Sequence, residues 1–491
     1  MRRSNGGIIG PDNVTTGGFT GVASGVWKLN EVTDLIKQSK WPEPSPFPIN
    51  VTPNSARFNS ASSDNLTRTS DSGNKKTFTM SFWVKRSTFG TDQVLTNITA
   101  PSGAQGRVFF EGNTEQLEFH DVSSGGSYEI RYITNRLFRD VSAWYNIVIA
   151  VDTTDGTAGD RVKIYVNGVQ ETSFATATQP SSGLVTSFNS GGVMEIGSQQ
   201  VPAEFFGGYM SEVINVDGSQ LAPTSFGEFN SGSGIWIPKT ITGLTFGTNG
   251  YYLKFANSAA LGTDSSGQSN NFTVNNLTSL DQSTDSPSNN FATMNPLFAG
   301  DNSAITYAEG NLKTTATNQG QKNAVSTIGV SSGKWYCEMV SRNGTNYPGF
   351  GIMDSQSVLQ TSISYLGSSS DSYCMFQDGN YYTNGSAVST GTTWGVGSIM
   401  GVAIDLDSGT KTIKFFKNGS QTHSATISTP ANAYVFAVSH NDNGTITEIN
   451  FGSPAYAISS GNTDANGFGN FEYAVPAGYF SLCTNNLNIL E

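Results

Sequence analysis

The chain reads W-Y-N-I-V-I-A-V-D-T-T-D-G and then R-V-K-I-Y-V-N-G-V between Trp144 and Val169. A stretch of the same design reads W-G-V-G-S-I-M-G-V-A-I-D-L-D-S-G and then K-T-I-K-F-F-K-N-G-S between Trp394 and Ser420. Each has a tryptophan, an apolar strand that ends in aspartate, an Asp/Gly turn, an alternating second strand and an Asn-Gly pair. Because Asn-Gly accepts the positive φ angles of tight turns, both stretches are predicted to be β-hairpins. Their repetition predicts two related β domains.

The composition favours many short strands over long helices. Charged residues make up 13% of the 491 residues, against about 25% in an ordinary soluble domain. Glycine, serine, threonine and asparagine are abundant instead, and these residues suit strands joined by tight turns. A chain of this length can form two or three domains, each with its own core. We therefore predict an all-β protein with two antiparallel β-sandwiches in tandem after an extended N-terminal arm.

Charge and hydropathy argue against two classes of partner. The formal net charge is −12, whereas a non-specific nucleic-acid binder must be basic to neutralise phosphates, so no nucleic-acid partner is expected. No apolar run reaches the roughly 18 residues of a membrane span, so no membrane insertion is expected. The first residues, M-R-R-S-N-G-G-I-I-G-P, lack the apolar core of a secretory signal, which predicts synthesis and folding in a cytoplasm.

Residues 1–49 are predicted to be an arm that docks on a partner. The first 25 residues are rich in glycine, threonine and asparagine and would have no stable structure alone. A short amphipathic helix is predicted between Asn30 and Trp41, followed by a proline-rich spacer. Because so short a helix cannot bury its apolar side chains alone, docking is favoured over a disordered leader without a partner. The predicted docking residues are Trp27, Leu29, Leu35, Ile36 and Trp41.

The remaining chain divides into a first sandwich at 50–240, a connector at 241–300 and a second sandwich at 301–491. Period-two alternation predicts a strand at Thr77–Lys85, one strand is expected in the connector at Gly250–Phe255, and the end F-S-L-C-T-N-N-L is predicted to be a strand with a polar tail. The other predicted strands are Arg107–Phe110, Gln116–Phe119, Tyr128–Ile133, Val193–Ile196, Phe206–Val216, Gly333–Val340, Pro348–Met353, Tyr434–Ser439 and Thr445–Phe451.

A segment between residues 364 and 384 is rich in tyrosine, aspartate, asparagine and serine. Sugar binding needs an exposed aromatic platform beside amide and carboxylate groups, and binding loops favour the same mixture because tyrosine gives contact area at low entropic cost. The alternative is packing at a strand edge beside ordinary loops. The candidate binding residues in and near this segment are Tyr347, Tyr365, Asp371, Tyr373, Asp378, Tyr381 and Tyr382.

Calcium is the one metal that the sequence suggests. The loop D-T-T-D-G-T-A-G-D gathers Asp152, Asp155 and Asp160, and calcium prefers oxygen ligands. The alternative is that these aspartates only stabilise a hairpin turn, as is common. Asp405 and Asp407 form a weaker second candidate. The three cysteines lack metal-site spacing, and the three histidines are too scattered to suggest ligands, so surface or incidental positions are expected for the histidines.

Two sets of sequence patterns are typical of known sandwich families. The first set is S-F-W-V-K (Ser81–Lys85), W-Y-N-I-V (Trp144–Val148), V-K-I-Y-V-N-G (Val162–Gly168) and F-F-G-G-Y-M-S-E-V (Phe205–Val213). The second set is G-K-W-Y-C-E, P-G-F-G-I, G-V-A-I-D-L-D and I-K-F-F-K-N-G. On the first set, residues 56–240 resemble the laminin-G/pentraxin group of concanavalin-A-like sandwiches, and on the second set, residues 320–460 resemble a SPRY domain. Both resemblances imply jelly-roll architecture.

Four further phrases are spread over nearly the whole chain: A-S-G-V-W-K-L-N-E (Ala23–Glu31), S-P-S-N-N-F-A-T-M-N-P-L (Ser286–Leu297), G-N-L-K (Gly310–Lys313) and S-L-C-T-N-N-L (Ser481–Leu487). On these phrases, the whole arrangement is similar to virion structural proteins of tailed phages, particularly marine ones. This resemblance implies that the arm attaches to other virion proteins and that the sandwiches face outward, as a tail fibre, knob or appendage, toward a host cell-surface glycan or receptor. It also implies synthesis in the host cytoplasm, release by lysis and self-association, with a trimer as the expected form.

Two alternatives to host attachment stay open. The protein could be an assembly or a capsid or tail decoration element without receptor contact, in which case the tyrosine-rich loops would be buried against neighbours. It could also be a bacterial secreted lectin-like adhesin, although the lack of a signal sequence and the phage-like arm argue against this.

No catalytic pattern is present, so we predict that the protein is not an enzyme. Glucanases of this fold place carboxylates on one strand in an E-x-D-x-E or E-x-D-x-x-E spacing, which brings the acid and the nucleophile together on one face. Here Glu338 is followed by methionine and valine, and Glu448 by isoleucine and asparagine. No G-x-S-x-G, H-E-x-x-H or P-loop motif occurs.

Overall fold

The computed structural model describes residues 7–10, 25–28 and 51–490, apart from 200–203, 232, 299–303, 344–347 and 358–363. This part of the chain is almost entirely β-structure in antiparallel sheets, which confirms the predicted fold class. In the arm, strand Gly7–Gly10 pairs with strand Gly25–Lys28, so the backbone of Trp27 lies opposite Ile8. We expected no structure here. The predicted docking helix, with Leu29, Leu35, Ile36 and Trp41, lies outside the described residues.

The first sandwich consists of two eight-stranded sheets. The first sheet has, in spatial order, Val169–Gln170, Val162–Val166, Tyr145–Asp152, Thr77–Arg86, Gly208–Asp217, Ser55–Phe58 and Gln282–Ser283, with Tyr251–Leu253 also paired to Gly208–Asp217. The second sheet has Phe174–Thr178, Tyr128–Leu137, Gln116–Val122, Gln105–Phe110, Gln93–Thr99, Val193–Ile196, Asn65–Thr69 and Thr273–Asn275. A separate hairpin pairs Gly227–Phe229 with Trp236–Pro238.

The second sandwich consists of an eight-stranded and a six-stranded sheet. The larger sheet has Ile305–Ala308, Lys313–Ala316, Ile446–Asn450, Lys334–Ser341, Ile399–Asp405, Thr412–Lys417 and Ser420–Thr426, with Phe480–Ser481 added parallel to Lys334–Ser341. The smaller sheet has Lys322–Val330, Tyr434–His440, Gly349–Asp354, Ser372–Phe376, Asn380–Thr383 and Ser386–Ser389. The short 3-10 helices are Ser60–Ser62, Ala158–Asp160, Pro223–Ser225 and Ser279–Asp281.

Each sandwich encloses its own core because alternate side chains of each strand face the opposite sheet. In the central strand Thr77–Arg86, Phe78, Phe82 and Val84 lie in the first core. The corresponding strand Lys334–Ser341 places Trp335 and Met339 in the second core. The tryptophan of the second hairpin, unlike that of the first, also joins its core. The first strand of each predicted hairpin pairs with the central strand of its own sheet, so the two hairpins lie at equivalent places in two separate sandwiches.

The segment that we predicted to be a connector contributes strands to the first sandwich. Tyr251–Leu253, Thr273–Asn275 and Gln282–Ser283 all pair with its sheets. Phe272 and Leu277 from this segment lie in the first core. The strand expected at Gly250–Phe255 is confirmed as Tyr251–Leu253. Thr273–Asn275 and Gln282–Ser283 are too short to show period-two alternation, so the polar loop composition hid them.

At the C-terminal end, the predicted strand is present, but the predicted polar tail after it is a helix. The chain forms a two-residue strand, Phe480–Ser481, and then an α-helix, Thr484–Leu490. Asn486 is buried in this helix, where its side chain amide donates to Asp464 Oδ2 at 2.7 Å and to the Ser481 carbonyl at 2.9 Å. These tertiary contacts override the weak helix propensity of asparagine.

A buried polar network joins the two sandwiches. Asp285 lies in the joint between the sandwiches, which we define as residues 284–298. It accepts hydrogen bonds from Lys85 Nζ at 2.7 Å and Trp144 Nε1 at 3.0 Å. Its backbone amide donates to Ser453 Oγ at 3.2 Å, which belongs to the second sandwich. Arg57 of the first sandwich donates to the carbonyl of Pro454 at 3.3 Å and also pairs with Asp281. The joint is therefore packed between the domains.

Candidate functional site

Two paired strands at the edge of the six-stranded sheet position the tyrosine-rich segment. Ser372–Phe376 pairs with Asn380–Thr383, and Cys374 lies opposite Tyr382 in this register. Alternation then places Tyr382 on the outer face of the sheet and Tyr381 on the inner face. The outer face is covered by a small apolar cluster that includes Phe376, Tyr365 and Tyr382.

An open cavity of about 340 Å³ lies on this outer face. Three aromatic rings form its apolar part: Tyr365 and Tyr382 have ring centroids 5.5 Å apart, and Phe376 and Tyr382 have centroids 5.2 Å apart, both pairs edge to face. The polar part of the lining consists of Gln321, Asp378 and Asn441. Aromatic surface and convergent amide and carboxylate groups therefore occur together.

Internal hydrogen bonds hold the polar groups of this cavity in place. Asp378 accepts a hydrogen bond from the backbone amide of Asn380 at 2.9 Å and another from its side chain amide at 2.7 Å. Gln321 Nε2 donates to Asn441 Oδ1 at 2.7 Å. Burial raises the pKa of the Tyr382 phenol, so this group stays neutral and able to donate a hydrogen bond. The arrangement can orient a ligand with hydroxyl groups.

Two of the predicted binding tyrosines lie elsewhere. Tyr373 and Tyr381 are buried, and both belong to the second core. The Tyr381 ring packs on His423 with centroids 4.6 Å apart, and the Tyr373 hydroxyl lies 3.1 Å from Ser428 Oγ. We had interpreted them as loop residues, but they lie in strands, where alternation turns them inward.

Of the remaining predicted binding residues, three lie at the cavity and one lies elsewhere. Tyr365, Asp378 and Tyr382 meet at the cavity. Asp371 instead accepts a hydrogen bond from Ser357 Oγ at 2.8 Å and one from Ser369 Oγ. Tyr347 lies outside the described residues.

Sequence reasoning missed three lining residues of the cavity: Phe376, Gln321 and Asn441. The alternation of the strand Ser372–Phe376 could have placed Phe376 on the face opposite Tyr373. Gln321 and Asn441 lie far from the tyrosine-rich segment in sequence. They meet it only because strands Lys322–Val330, Tyr434–His440, Gly349–Asp354 and Ser372–Phe376 are successive neighbours in the sheet. No local pattern marks such a residue.

The three aspartates of the proposed calcium loop each have a separate partner. Asp152 Oδ1 accepts hydrogen bonds from the backbone amide and hydroxyl of Thr154 at 2.9 and 2.6 Å. Asp155 Oδ1 accepts one from the amide of Thr157 at 2.7 Å, and Asp160 pairs with Lys163 at 3.1 Å. Within the described ranges, no three histidine, cysteine, aspartate or glutamate side chains are grouped so as to hold a metal ion. The two interpretations of this loop, a calcium site and a stabilised hairpin turn, both stay open to experiment.

Asp405, in the weaker calcium candidate, is also engaged. It accepts hydrogen bonds from the amides of Asp407 and Ser408 at 3.1 and 2.9 Å, and it pairs with Lys334 Nζ at 2.8 Å. Although burial opposes ionisation, these hydrogen bonds lower the pKa of Asp405 to about 2. The neighbouring Asp407 accepts a hydrogen bond from the amide of Gly333. Turn geometry accounts for both carboxylates.

The cysteines and histidines are more buried than their scattered positions suggest. Cys337, Cys374 and Cys483 are free and buried, and burial raises the pKa of the first two thiols well above the ordinary value. His120 and His440 are buried as well, so the expectation of surface positions is wrong for them. No helix among the described residues is long and apolar enough to cross a membrane.

Comparison with known protein families finds a match for each of the two sandwiches. Residues 59–217 match the Concanavalin A-like lectin/glucanases superfamily in its Laminin_G_3 form, and residues 315–454 match the SPRY domain. No curated protein is similar in sequence to this chain.

Three solved structures that are similar to this chain each match 32% of it. The SPRY domain of human HERC1 is 18% identical, with 32% of this chain and 96% of that chain covered and a TM-score of 0.27. Stonustoxin is 20% identical, with 32% and 27% covered and a TM-score of 0.25. The TRIM65 PSpry domain is 16% identical, with 32% and 88% covered and a TM-score of 0.26. From the matched residues, this chain contains a concanavalin A-like sandwich and a SPRY sandwich in tandem.

Proposed function

We propose that the protein is a structural protein of a tailed-phage virion that binds glycans on the host cell surface. The observation that supports the binding role most directly is the open aromatic cavity formed by Tyr365, Phe376 and Tyr382. The phrases Ala23–Glu31 and Ser286–Leu297, which resemble phage virion proteins, support the virion role. In this proposal the protein is made in the host cytoplasm and released by lysis, and it acts by binding alone, without catalysis.

The lining of the cavity suits a sugar. Tyrosine offers a flat apolar surface with a polar hydroxyl at its end, which matches the apolar and hydroxyl-bearing faces of a pyranose ring. The amides of Gln321 and Asn441 and the carboxylate of Asp378 supply donors and acceptors beside the rings. Pockets that combine apolar surface with a few fixed polar groups are the usual form of a ligand site.

Multiple copies would compensate for weak binding at a single shallow cavity. We propose that the arm at 1–49 attaches to other virion proteins and that the protein self-associates, with a trimer as the expected form. Once one copy binds, the next binding event takes place at a high effective concentration, so an array adheres far more firmly than each site alone.

Adsorption competition tests the receptor role. Excess full-length protein is added to host cells before the parent phage, and the adsorption rate is measured. We expect the protein to coat the cells and slow adsorption, and we expect Tyr382→Ala to lose this effect. Phe229→Ala is the matched control, because Phe229 is an aromatic residue of the first sandwich that is 52% exposed and remote from the cavity lining.

A folded, multimeric sample that neither coats cells nor slows adsorption would contradict the receptor role. It would favour the second candidate, an assembly or decoration protein. One observation favours that candidate: the edge strand Ser386–Ser389, next to the cavity strands, is exposed along its whole length, and Val388 is 52% exposed. Such an edge can pair with a strand of a neighbouring virion protein. Retention of virion proteins on the immobilised full chain would support this outcome.

A further inference from the structure

Lys85, Asp285 and Asn290 meet at the buried contact between the first sandwich and the joint. Lys85 Nζ donates to Asp285 Oδ2 at 2.7 Å and to Asn290 Oδ1, also at 2.7 Å. An amine therefore touches both a carboxamide and a carboxyl group that can carry its proton. None of the three residues lines the cavity that supports the proposed function, so the two sites are separate.

Strand alternation explains why the Lys85 side chain reaches the joint. In the central strand Thr77–Arg86, Phe82 and Val84 lie in the core of the first sandwich, so Lys85 points to the outer face of the sheet. A lysine on such a face is normally solvated. Here the joint covers it, and the side chains of Lys85 and Asp285 are each only 1% exposed.

The surroundings of this pair favour a neutral amine. Trp144 Nε1 donates to Asp285 Oδ1 at 3.0 Å, and the centroid of the Tyr209 ring lies 5.6 Å from Lys85 Nζ. Burial raises the pKa of the Asp285 carboxyl, although the Lys85 ammonium opposes this. Removal from water makes two opposite charges costly, so proton transfer from Lys85 to Asp285 becomes accessible. The neutral amine that results is the nucleophilic form of lysine.

The Asn290 carboxamide is held in one orientation. Its Nδ2 donates to the Ser142 carbonyl at 2.6 Å, and its backbone amide donates to Thr484 Oγ1 at 2.9 Å. The carbonyl side of the carboxamide therefore faces Lys85. Since a C=O bond is about 1.23 Å long, Lys85 Nζ can be no more than about 3.9 Å from Asn290 Cγ. This is near the roughly 3–3.5 Å at which held groups react efficiently.

We propose that the protein forms an isopeptide bond within its own chain, between Lys85 Nζ and Asn290 Cγ, with release of ammonia. Asp285 is the proton carrier of this reaction. Each chain carries out the step once, on itself. The proposal does not depend on the virion assignment or on the cavity at Tyr382.

The three side chains balance the reaction. Asp285 first takes one proton from the Lys85 ammonium, and the nitrogen lone pair then attacks Asn290 Cγ. The bond between Cγ and Nδ2 breaks, and its electron pair stays on Nδ2. Asp285 gives its proton to this leaving nitrogen and takes a second proton from the Lys85 nitrogen, while the third stays on the new amide. No oxidant or reductant is consumed, and Asn290 is only half-buried, which gives ammonia a route to solvent.

The new bond would close the chain between Lys85 and Asn290 into a covalent ring. This ring contains every later strand of the first sandwich, from Gln93–Thr99 to Gln282–Ser283. Like a disulfide, such a crosslink restricts the unfolded chain and so stabilises the fold. Tension between the N-terminal end and the second sandwich would pass through the bond and bypass the ring.

Mass spectrometry of the purified full-length protein tests the proposal. We expect an intact mass lower than that of the sequence by one molecule of ammonia, and a protease digest with a branched peptide that joins Lys85 to Asn290. Asn290→Ala, checked for folding by circular dichroism, should have the full mass of its own sequence. Asn275→Ala is the matched control, because Asn275 is another half-buried asparagine of the first sandwich, and it should retain both signals.

Two results would overturn the proposal. The first is a wild-type protein that keeps the full mass of its sequence after prolonged incubation at neutral pH. The second is a loss of ammonia without a peptide that joins Lys85 to Asn290, as when an Asn-Gly pair loses ammonia by itself. A denaturing gel gives a further check: the wild-type chain should migrate as a more compact chain than Asn290→Ala, and equal migration would count against the ring.

Discussion

Lys85 and Asp285 form an ion pair at 2.7 Å in which each side chain is only 1% exposed. Lys85 belongs to the central strand of the first sandwich and Asp285 to the joint, whose backbone is bonded to the second sandwich. Lys85 Nζ also donates to Asn290 Oδ1 at 2.7 Å and to the Phe291 carbonyl at 2.9 Å. All three ammonium protons therefore have acceptors, which is what a buried lysine requires.

Asp285→Asn should destabilise the protein strongly, because it leaves the Lys85 ammonium buried without a counter-charge. Loss of one partner of a buried pair costs about 3–5 kcal/mol. Urea unfolding measures the loss. Lys163→Met is the matched control, since Lys163 pairs with Asp160 at a more exposed site and should cost less than about 1 kcal/mol. Equal losses in both variants would show that the buried pair does not stabilise the junction.

The adjacent residues Tyr381 and Tyr382 should have separate roles, one in stability and the other in binding. Tyr381→Ala removes a ring from the second core and should cost about 3–5 kcal/mol. Tyr382→Ala removes a half-buried ring at the cavity and should cost about 1 kcal/mol while abolishing cell binding. Thermal unfolding and cell binding, measured side by side, check the prediction. A binding loss in Tyr382→Ala that is matched by an equally large stability loss would argue against a binding role.

Stability should decrease as the pH rises from 6.5 to 8. Burial raises the pKa values of Asp121, Glu195 and Glu212 to about 7. A carboxyl whose pKa is higher in the folded state than in the unfolded state stabilises the fold when protonated, and this contribution is lost as the pH rises through the folded pKa. Ionisation of each such group should cost about 1 kcal/mol of stability between pH 6.5 and 8. Melting temperatures across this range provide the measurement.

A single variant tests the origin of this pH dependence. Glu195→Gln keeps the shape and the bond to Asn97 Nδ2 but cannot ionise, so it should flatten the pH profile. His440 acts in the opposite direction: burial lowers its pKa to about 4, so its contribution is gained as the pH rises from about 4 to 6.5. The comparison is therefore made above pH 6.5. An unchanged slope in Glu195→Gln would assign the effect to other groups.

Calcium is expected to leave the melting temperature unchanged, because Asp152, Asp155 and Asp160 have separate internal partners. The measurement compares the protein in millimolar calcium with the protein in chelator. A rise of several degrees in calcium, lost in Asp155→Asn, would instead locate the cation in this loop, since a ligand that binds only the folded state raises its stability.

The long strands and both hairpins could be predicted because each buries one face, so that apolar and polar residues alternate along the sequence. The short strands at Thr273–Asn275 and Gln282–Ser283 could not, since two or three residues show no period. Tyr365, Asp378 and Tyr382 were predicted as binding residues, but Gln321 and Asn441 join them only through sheet pairing. His120 was misplaced because Arg131 is brought opposite it by strand pairing, whereas Glu118 lies two residues before it on the same strand.

The opposite orientation of Tyr381 and Tyr382 separates two kinds of inherited change. A substitution that alters Tyr382 reshapes a surface that other molecules meet, at little expense to folding, whereas a substitution at Tyr381 disturbs the interior. A lineage can therefore drift in the sugars that it recognises while the sandwich beneath remains the same. Under the proposed function, a change of host would be accompanied by substitutions at alternate residues of these strands.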